Sequence, residues 1–406
     1  PSSSGWHPEN LNADIDLVVL GMHARKNNAE LIRAKELGLK IQSFPEFIYH
    51  ISENKTRVVV AGSHGKTTTS GMIAHVLDQS GVPADRMIGA TIGNLEPVSI
   101  SDAEIIVLEG DEYLSSPDDL RPKFLHYRPQ ITVITGIAWD HMNVFPTYKS
   151  YIEPFRQLIS TLGPTDVLIY CKDDADLVRL VAEVKPKAEI IPYSIHPYLI
   201  NDGIVSLTDE TGGDHPLQIF GIHNMQNLCA AMHVVEKLGL SKTDFYQSIQ
   251  SFEGANKRLQ LVHQSRRLIS YLDFAHAPSK VKATVQAVRE KHKDAYIVAI
   301  LELHTFSSLN PDFLPQYKNA LNGADEKILY YSPHTLAIKK LPDLTKEKLA
   351  EFFNEENLFI ATSGVELEDI IRNMPLKEKN VMLWMSSGRF DGLEIRQFSE
   401  ELDIIN

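Results

Sequence analysis

Short runs of β-branched and apolar residues recur along the chain, each followed by a glycine or polar turn and then by an amphipathic stretch. Continuous apolar runs suit strands covered on both faces, and apolar residues every three or four positions suit helices packed on them. That alternation is the pattern of α/β domains built on mainly parallel sheets. The first segment predicts a strand at Ile15–Leu20, a helix near Ala29–Leu37 and a strand at Leu39–Ser43, half of a small doubly wound unit. The second opens with a strand at Arg57–Ala61 and continues with strands at Ile105–Leu108, Ile131–Thr135 and Val167–Cys171. The third begins near Phe252–Arg258, with strands at Leu268–Leu272, Tyr296–Leu301, Lys327–Tyr331 and Val381–Met385. A helix is expected from Pro278, where proline suits the first turn. Breaks near residues 54 and 256 divide the chain into 1–54, 55–256 and 257–406.

Bulk properties narrow the classes. A chain of 406 residues with 43% hydrophobic and 23% charged residues is an ordinary globular composition, long enough for two or three domains. The formal charge of −13 argues against a nucleic-acid or anionic-membrane footprint. Cys171 and Cys229 match no metal or redox spacing, so reduced thiols and a cytoplasmic location are expected. No apolar run approaches the ~20 residues that span a bilayer, so no membrane insertion is expected. The sequence starts at Pro1 and enters a strand pattern almost at once, which raises the expectation of an N-terminal truncation.

The densest chemistry follows the strand Val58–Ala61, in Gly62-Ser63-His64-Gly65-Lys66-Thr67-Thr68-Thr69. Glycines let the backbone turn several N–H groups toward one anion, and the helix that follows adds its positive N-terminal end. Lys66 is positioned as a point charge for β- and γ-phosphates and Thr67 as a magnesium ligand. The spacing departs from the general phosphate loop, which has four residues between its glycines where this chain has two.

Two more strands end in polar groups: Ile105–Leu108 in Glu109-Gly110-Asp111-Glu112, and Ile131–Thr135, through Gly136, in Asp140-His141. Ligands of open α/β sheets sit outside the carboxyl ends of the strands, so Lys66, Thr67, Glu109 and His141 are expected to share one magnesium–triphosphate crevice. Further on, Asn224 and Asn227 of His223-Asn224-Met225-Gln226-Asn227 share a helical face, suited either to a nucleotide edge or to capping an Ala-rich helix. Asp273 and His276, in Asp273-Phe274-Ala275-His276-Ala277-Pro278, suit either ribose and phosphate contacts or a strand-to-helix turn.

Taken together and in this order, these motifs, with Arg258 between the last two, resemble the Mur ligase family across nearly the whole chain. The resemblance implies a three-domain α/β architecture: an N-terminal UDP-sugar domain, of which 1–54 would be a remnant, a central P-loop-type ATPase over 55–256, and a C-terminal Rossmann-like domain over 257–406 for the amino substrate. It implies ATP and Mg²⁺ as cofactors. Gly62, Ser63, His64, Gly65, Lys66, Thr67 and Thr68 would hold the phosphates, and Thr67, Glu109 and His141 the metal. His223, Asn224 and Asn227 would meet the nucleotide, Asp273 the ribose and Arg258 a phosphate, while Lys66, Glu109, His141 and His276 would serve the reaction.

Three stretches resemble the branch that joins UDP-N-acetylmuramate to the murein tripeptide L-alanyl-γ-D-glutamyl-meso-diaminopimelate in cell-wall recycling. They are Gly110–Tyr113 with Arg121–Pro129, Phe145-Pro146 after Asp140-His141, and Met385–Gly388. The alternatives are the branch that takes L-alanine, or a related ATPase without ligation. A monomer or weak homodimer is expected. Departures from the family pattern are Gly110 in place of alanine, Leu303 where proline is expected with an arginine just after it, and no glycine-rich start to the sugar domain.

Overall fold

The structure, a computed structural model, describes residues 5–139, 144–201 and 203–405. Near the N-terminus, β1 (Val18–Leu20) and β2 (Ile41–Ser43) pair in parallel across α1 (Ala29–Glu36). Asn28 caps α1 by accepting from the Glu30 and Leu31 amides. The periodicity reading stops at Ser43, but α2 (Phe44–Ile51) starts there, on a capping box between Ser43 and Glu46.

The central sheet has seven strands: β3 (Thr56–Ala61), β4 (Ala84–Met87), β5 (Val98–Ser99), β6 (Ile105–Gly110), β7 (Ile131–Ile134), β8 (Val167–Cys171) and β9 (Glu189–Tyr193). Their spatial order is β5-β4-β6-β3-β7-β8-β9, parallel everywhere except at β5. Val58, Val59 and Val60 of β3 are fully buried, as its apolar run requires of a strand covered on both faces. Each such side chain contributes roughly 1.5–3 kcal/mol of burial.

The helices α3 (Lys66–Gln79), α4 (Lys123–Tyr127), α5 (Tyr148–Thr161) and α6 (Ala175–Val184) pack on this sheet. The antiparallel β10 (Tyr198–Asn201), β11 (Ile204–Thr208) and β12 (Asp214–Leu217) follow, then α7 (Ile222–Lys237) and α8 (Lys242–Ile249). One core cluster joins Met72, Ile73 and Val76 of α3 to Leu228 and Ala231 of α7 and Phe245 of α8, which explains why α3 is buried almost all round.

Periodicity misses β4 because Ala84-Asp85-Arg86-Met87 has no apolar run. Asp85 is nevertheless fully buried, held by Lys55 Nζ at 2.5 Å and Ser101 Oγ at 2.7 Å. The charge is tolerated because its partners replace the lost water.

The second large sheet has six strands, β13 (Gln260–Gln264), β14 (Leu268–Asp273), β15 (Tyr296–Glu302), β16 (Glu326–Tyr330), β17 (Leu358–Ala361) and β18 (Asn380–Met385). Their order is β13-β14-β18-β15-β16-β17, with only the β13–β14 pair antiparallel. Helix α9 (Pro278–Lys291) opens on its proline as expected. At the end of β15, Leu303 is buried and its amide donates to Tyr330 O at 2.8 Å. A proline, expected there by resemblance, has no such donor.

Candidate functional site

The phosphate loop leaves β3 and is laced to the end of the neighbouring β7. Ser63 N donates to Gly136 O at 2.9 Å, Ala138 N donates to Ser63 Oγ at 3.1 Å, and Thr135 Oγ1 donates to His64 O. Gly62 has φ +127° and Gly65 φ +79°, and Gly65 is the N-terminal neighbour of α3. A Cβ on Gly65 would come within 3.0 Å of Asn227 Oδ1 on α7, so both the backbone angle and the space exclude a larger residue. Asn227 therefore abuts the phosphate loop despite lying 162 positions along the chain from Gly65.

Lys66 Nζ donates to Gly62 O at 2.7 Å and stands 3.5 Å from the buried Glu112 carboxylate. Burial opposes its charge, but Glu112, Asp111 and Glu109 outweigh that and hold its pKa above the usual lysine value. Thr67 Oγ1 donates to Glu109 Oε2 at 3.1 Å, and the Gly89 amide donates to Glu109 Oε1 at 2.5 Å. Burial raises the Glu109 pKa, against the pull of those two hydrogen bonds and of Lys66. A buried carboxylate beside a hydroxyl is a hard-oxygen donor set that suits Mg²⁺, and a cation there would supply the charge the burial lacks. His141, expected at the same crevice, lies outside the described residues, as does its neighbour Asp140.

A cavity opens over this loop and reaches the C-terminal sheet. Its walls include Ser63 to Thr68, Thr135, His223, Asn224 and Asn227 on one side, and Arg258, Asp273 and Ser279 on the other. Gly221, φ +93°, takes the N-cap position of α7, so Asn224 does not cap the helix; its Nδ2 donates to Phe220 O at 2.8 Å. Burial lowers the His223 pKa, Asp273 opposes that, and Arg258 adds to it. Arg258 lies over the Phe274 ring at 4.9 Å.

Asp273 lines the cavity but also clamps the turn. Its carboxylate accepts from Leu259 N and Ala275 N, both at 2.6 Å. The His276 ring folds back on Phe274, with Nδ1 2.9 Å from Phe274 O, while its neighbour Ala275 lines the cavity.

Sequence reasoning passed over Thr135, Ser279 and Glu112. Glu112 was within a recognised motif, whereas nothing local marks Ser279 as a partner of His64, whose Nε2 it meets at 2.9 Å. The one three-residue carboxylate–histidine cluster with metal-ligand spacing among the described residues, Glu46–Asp119–His126, lies elsewhere. There the Arg121 guanidinium already grips the Asp119 carboxylate, at 2.9 and 2.7 Å.

A phosphate loop opening into a cavity walled by two α/β sheets is the arrangement of a nucleotide-binding protein. The Mur ligase middle domain matches residues 60–235. The chain is 30% identical over 336 residues to the UDP-N-acetylmuramate–L-alanine ligase of Paenarthrobacter aurescens (strain TC1), covering 80% of this chain and 72% of that one. It is 28% identical over 340 residues to the UDP-N-acetylmuramate–L-alanyl-γ-D-glutamyl-meso-2,6-diaminoheptandioate ligase of Escherichia coli (strain K12), covering 81% and 74%. The crystal structure of UDP-N-acetylmuramate-alanine ligase from Thermotoga maritima shares the fold, with a TM-score of 0.72 at 19% identity over 100% of this chain and 88% of that one. The chain belongs to the Mur ligase family, the ATP-dependent, ADP-forming ligases that join a carboxylate to an amine.

Proposed function

We propose that the chain joins the lactyl carboxylate of UDP-N-acetylmuramate to an amine in peptidoglycan metabolism, through an acyl phosphate, with L-alanine as the amine that most of the curated relatives favour. The observation that carries the reading is the single cavity in which Lys66, Thr67, Asn227, Arg258 and Asp273 face one another across two sheets. A second reading, the murein tripeptide as amine, draws on Tyr113 and Phe145. These residues come from two of the stretches that resemble the tripeptide branch, and their rings stand 6.5 Å apart. One curated relative of that branch is 28% identical, while seven other curated relatives are alanine ligases.

In this proposal residues 55–256 hold ATP, 257–406 bring the amine, and 1–54 belong to the sugar-binding part. Carboxylate and triphosphate repel, so Lys66 and Arg258 screen them while the carboxylate oxygen attacks the γ-phosphorus and the bond to the β-phosphate oxygen breaks, releasing ADP. The amine nitrogen then attacks the acyl carbon, phosphate departs, and the nitrogen loses its extra proton. Mg²⁺ at Thr67 and Glu109 would act as a Lewis acid on phosphoryl oxygen. The His64–Ser279 contact at 2.9 Å ties the phosphate loop to the first turn of α9.

The test is phosphate release from ATP with UDP-N-acetylmuramate, offering L-alanine in one reaction and the tripeptide in another. Stimulation by L-alanine supports the first reading and stimulation by the tripeptide alone supports the second. Hydrolysis indifferent to both amines refutes ligation.

A further inference from the structure

A positive backbone φ outside glycine is uncommon, because Cβ then crowds the neighbouring carbonyl oxygen. Among the described residues most cases have an ordinary cause. Arg128, Lys185, Lys340 and Asn354 close helices, where a left-handed residue is common. Asn319 and Asn357 carry the short amide side chain that tolerates this region, and Phe390 and Asp391 share a 3-10 turn. Lys257 (φ +58°) and Leu259 (φ +46°) fit none of these cases. They lie in the link between α8 and β13, where the chain passes from one large sheet to the other, and they flank Arg258, which lines the nucleotide cavity.

The link is fastened on both sides. Asn256 N donates to Thr91 O at 3.2 Å, tying it to the loop after β4. Phe274 N donates to Lys257 O at 2.8 Å and Leu259 N donates to Asp273 Oδ2 at 2.6 Å, tying it to the end of β14. Lys257 N donates to Gln260 Oε1 at 3.1 Å, Arg258 N donates to Ala255 O at 3.0 Å, and Leu259 is buried. Strained backbone persists only where its surroundings over-determine it, and such strain gathers at functional sites. The direction of a side chain follows the backbone angles around it, so an extended, unstrained link would carry Arg258 on a different heading. Here Arg258 reaches the cavity wall with the Phe274 ring 4.9 Å from its guanidinium carbon.

We infer that Lys257 and Leu259 are positioning residues, whose left-handed backbone aims the Arg258 guanidinium at the triphosphate. The inference rests on the phosphate role given to Arg258 in the proposed function. The aiming is done by the main chain and asks nothing of the Lys257 ammonium. Lys257 is exposed, so its side chain can be replaced without opening the core.

Two substitutions separate backbone from charge. Lys257→Gly and Lys257→Val both remove the ammonium, but glycine enters the left-handed region freely and a β-branched residue is driven from it. The dissociation constant for ATP with Mg²⁺ is measured by calorimetry on the full chain, in the wild-type and in the Arg258→Ala background. Lys257→Val is expected to weaken ATP binding roughly tenfold and Lys257→Gly less than about threefold, with Arg258→Ala at least as damaging as Lys257→Val. In the Arg258→Ala background Lys257→Val should cause no further loss, because a misdirected arginine and a missing one are equivalent.

Wild-type affinity in Lys257→Val overturns the inference. So does an equal loss in Lys257→Val and Lys257→Gly, which assigns the effect to the ammonium. An equal loss from Lys257→Val in both backgrounds marks a merely structural effect and overturns it as well. Wild-type affinity in Arg258→Ala refutes the phosphate role itself, and the inference falls with it. ATP binding is read without any amine, so a failure of ligation leaves each of these outcomes legible.

Discussion

Replacing Lys66 with methionine tests the phosphate loop on both stability and activity. Lys66 Nζ stands 3.5 Å from the carboxylate of Glu112, with the lysine side chain 15% exposed and the glutamate side chain at 0%. The methionine keeps the apolar stem but removes the cation from a site that also faces Asp111 and Glu109. Removing one partner of a buried ion pair costs up to about 3–5 kcal/mol, because the remaining charge loses its cation away from water. A glutamate can escape by taking up a proton, which at pH 7 costs roughly 1.4 kcal/mol per unit above an ordinary value near 4.3, or about 3.7 kcal/mol. The two routes agree on about 3–4 kcal/mol, a drop in Tm of about 6–16 °C for a unit of 150–250 residues.

The sign with pH follows from the same chemistry. The Lys66 pKa is raised above 10.5, so the wild-type contribution is fully present at neutral pH and is lost only as pH climbs through the raised value. In Lys66→Met the penalty shrinks as pH falls toward 5, where protonating a carboxylate costs little. The assay is thermal and urea unfolding at pH 5 and 7, together with ATP-dependent phosphate release. Adding Glu112→Gln to the variant should recover most of the stability and none of the turnover. Near-normal turnover in Lys66→Met would sink the phosphate-loop assignment, and a penalty independent of both pH and Glu112 would sink the electrostatic argument.

Further outcomes follow from neighbouring residues. Gly65→Ala forces a Cβ into the left-handed region and onto Asn227, at about 1–3 kcal/mol of backbone strain before any side chain shifts, so kcat/KM for ATP should fall at least tenfold in steady-state kinetics. Glu109 has its pKa raised by burial, so Mg²⁺ binding should release a proton and weaken as pH falls through that raised value. Calorimetry in buffers of different ionisation enthalpy reads the proton, and its persistence in Glu109→Gln would exclude Glu109 as its source. Arg57 donates to the carbonyls of Ser52, Glu53, Lys55, Tyr127 and Arg128, at 2.5 to 3.2 Å, from a buried position. Arg57→Leu strands these acceptors and should cost at least about 3 kcal/mol in urea unfolding, with ATP kinetics altered only through the folded fraction.

The sequence by itself determined the strands that carry the site and the residues at their ends. β3, β6, β7, β14, β15 and β18 are apolar runs covered on both faces, and burial on two sides writes itself into composition without help from the rest of the chain. Gly62 to Thr68 was legible for a related reason, since loop, lysine and helix N-terminus are contiguous. Strands whose stability comes from elsewhere were not legible. β4 depends on Lys55 reaching Asp85 and Ser101 reaching the same carboxylate, and no local pattern encodes a partner 30 residues away.

Only the tertiary structure decided which ends meet. It seated Asn227 against Gly65, paired His64 with Ser279 across 215 positions, and set Glu112 rather than a solvent shell around Lys66. It also turned Asp273 into a clamp for Leu259 and Ala275 as well as a cavity wall, two roles its place at a strand end leaves open. Periodicity records which face of an element is buried, whereas the neighbour that buries it is chosen by packing over the whole chain.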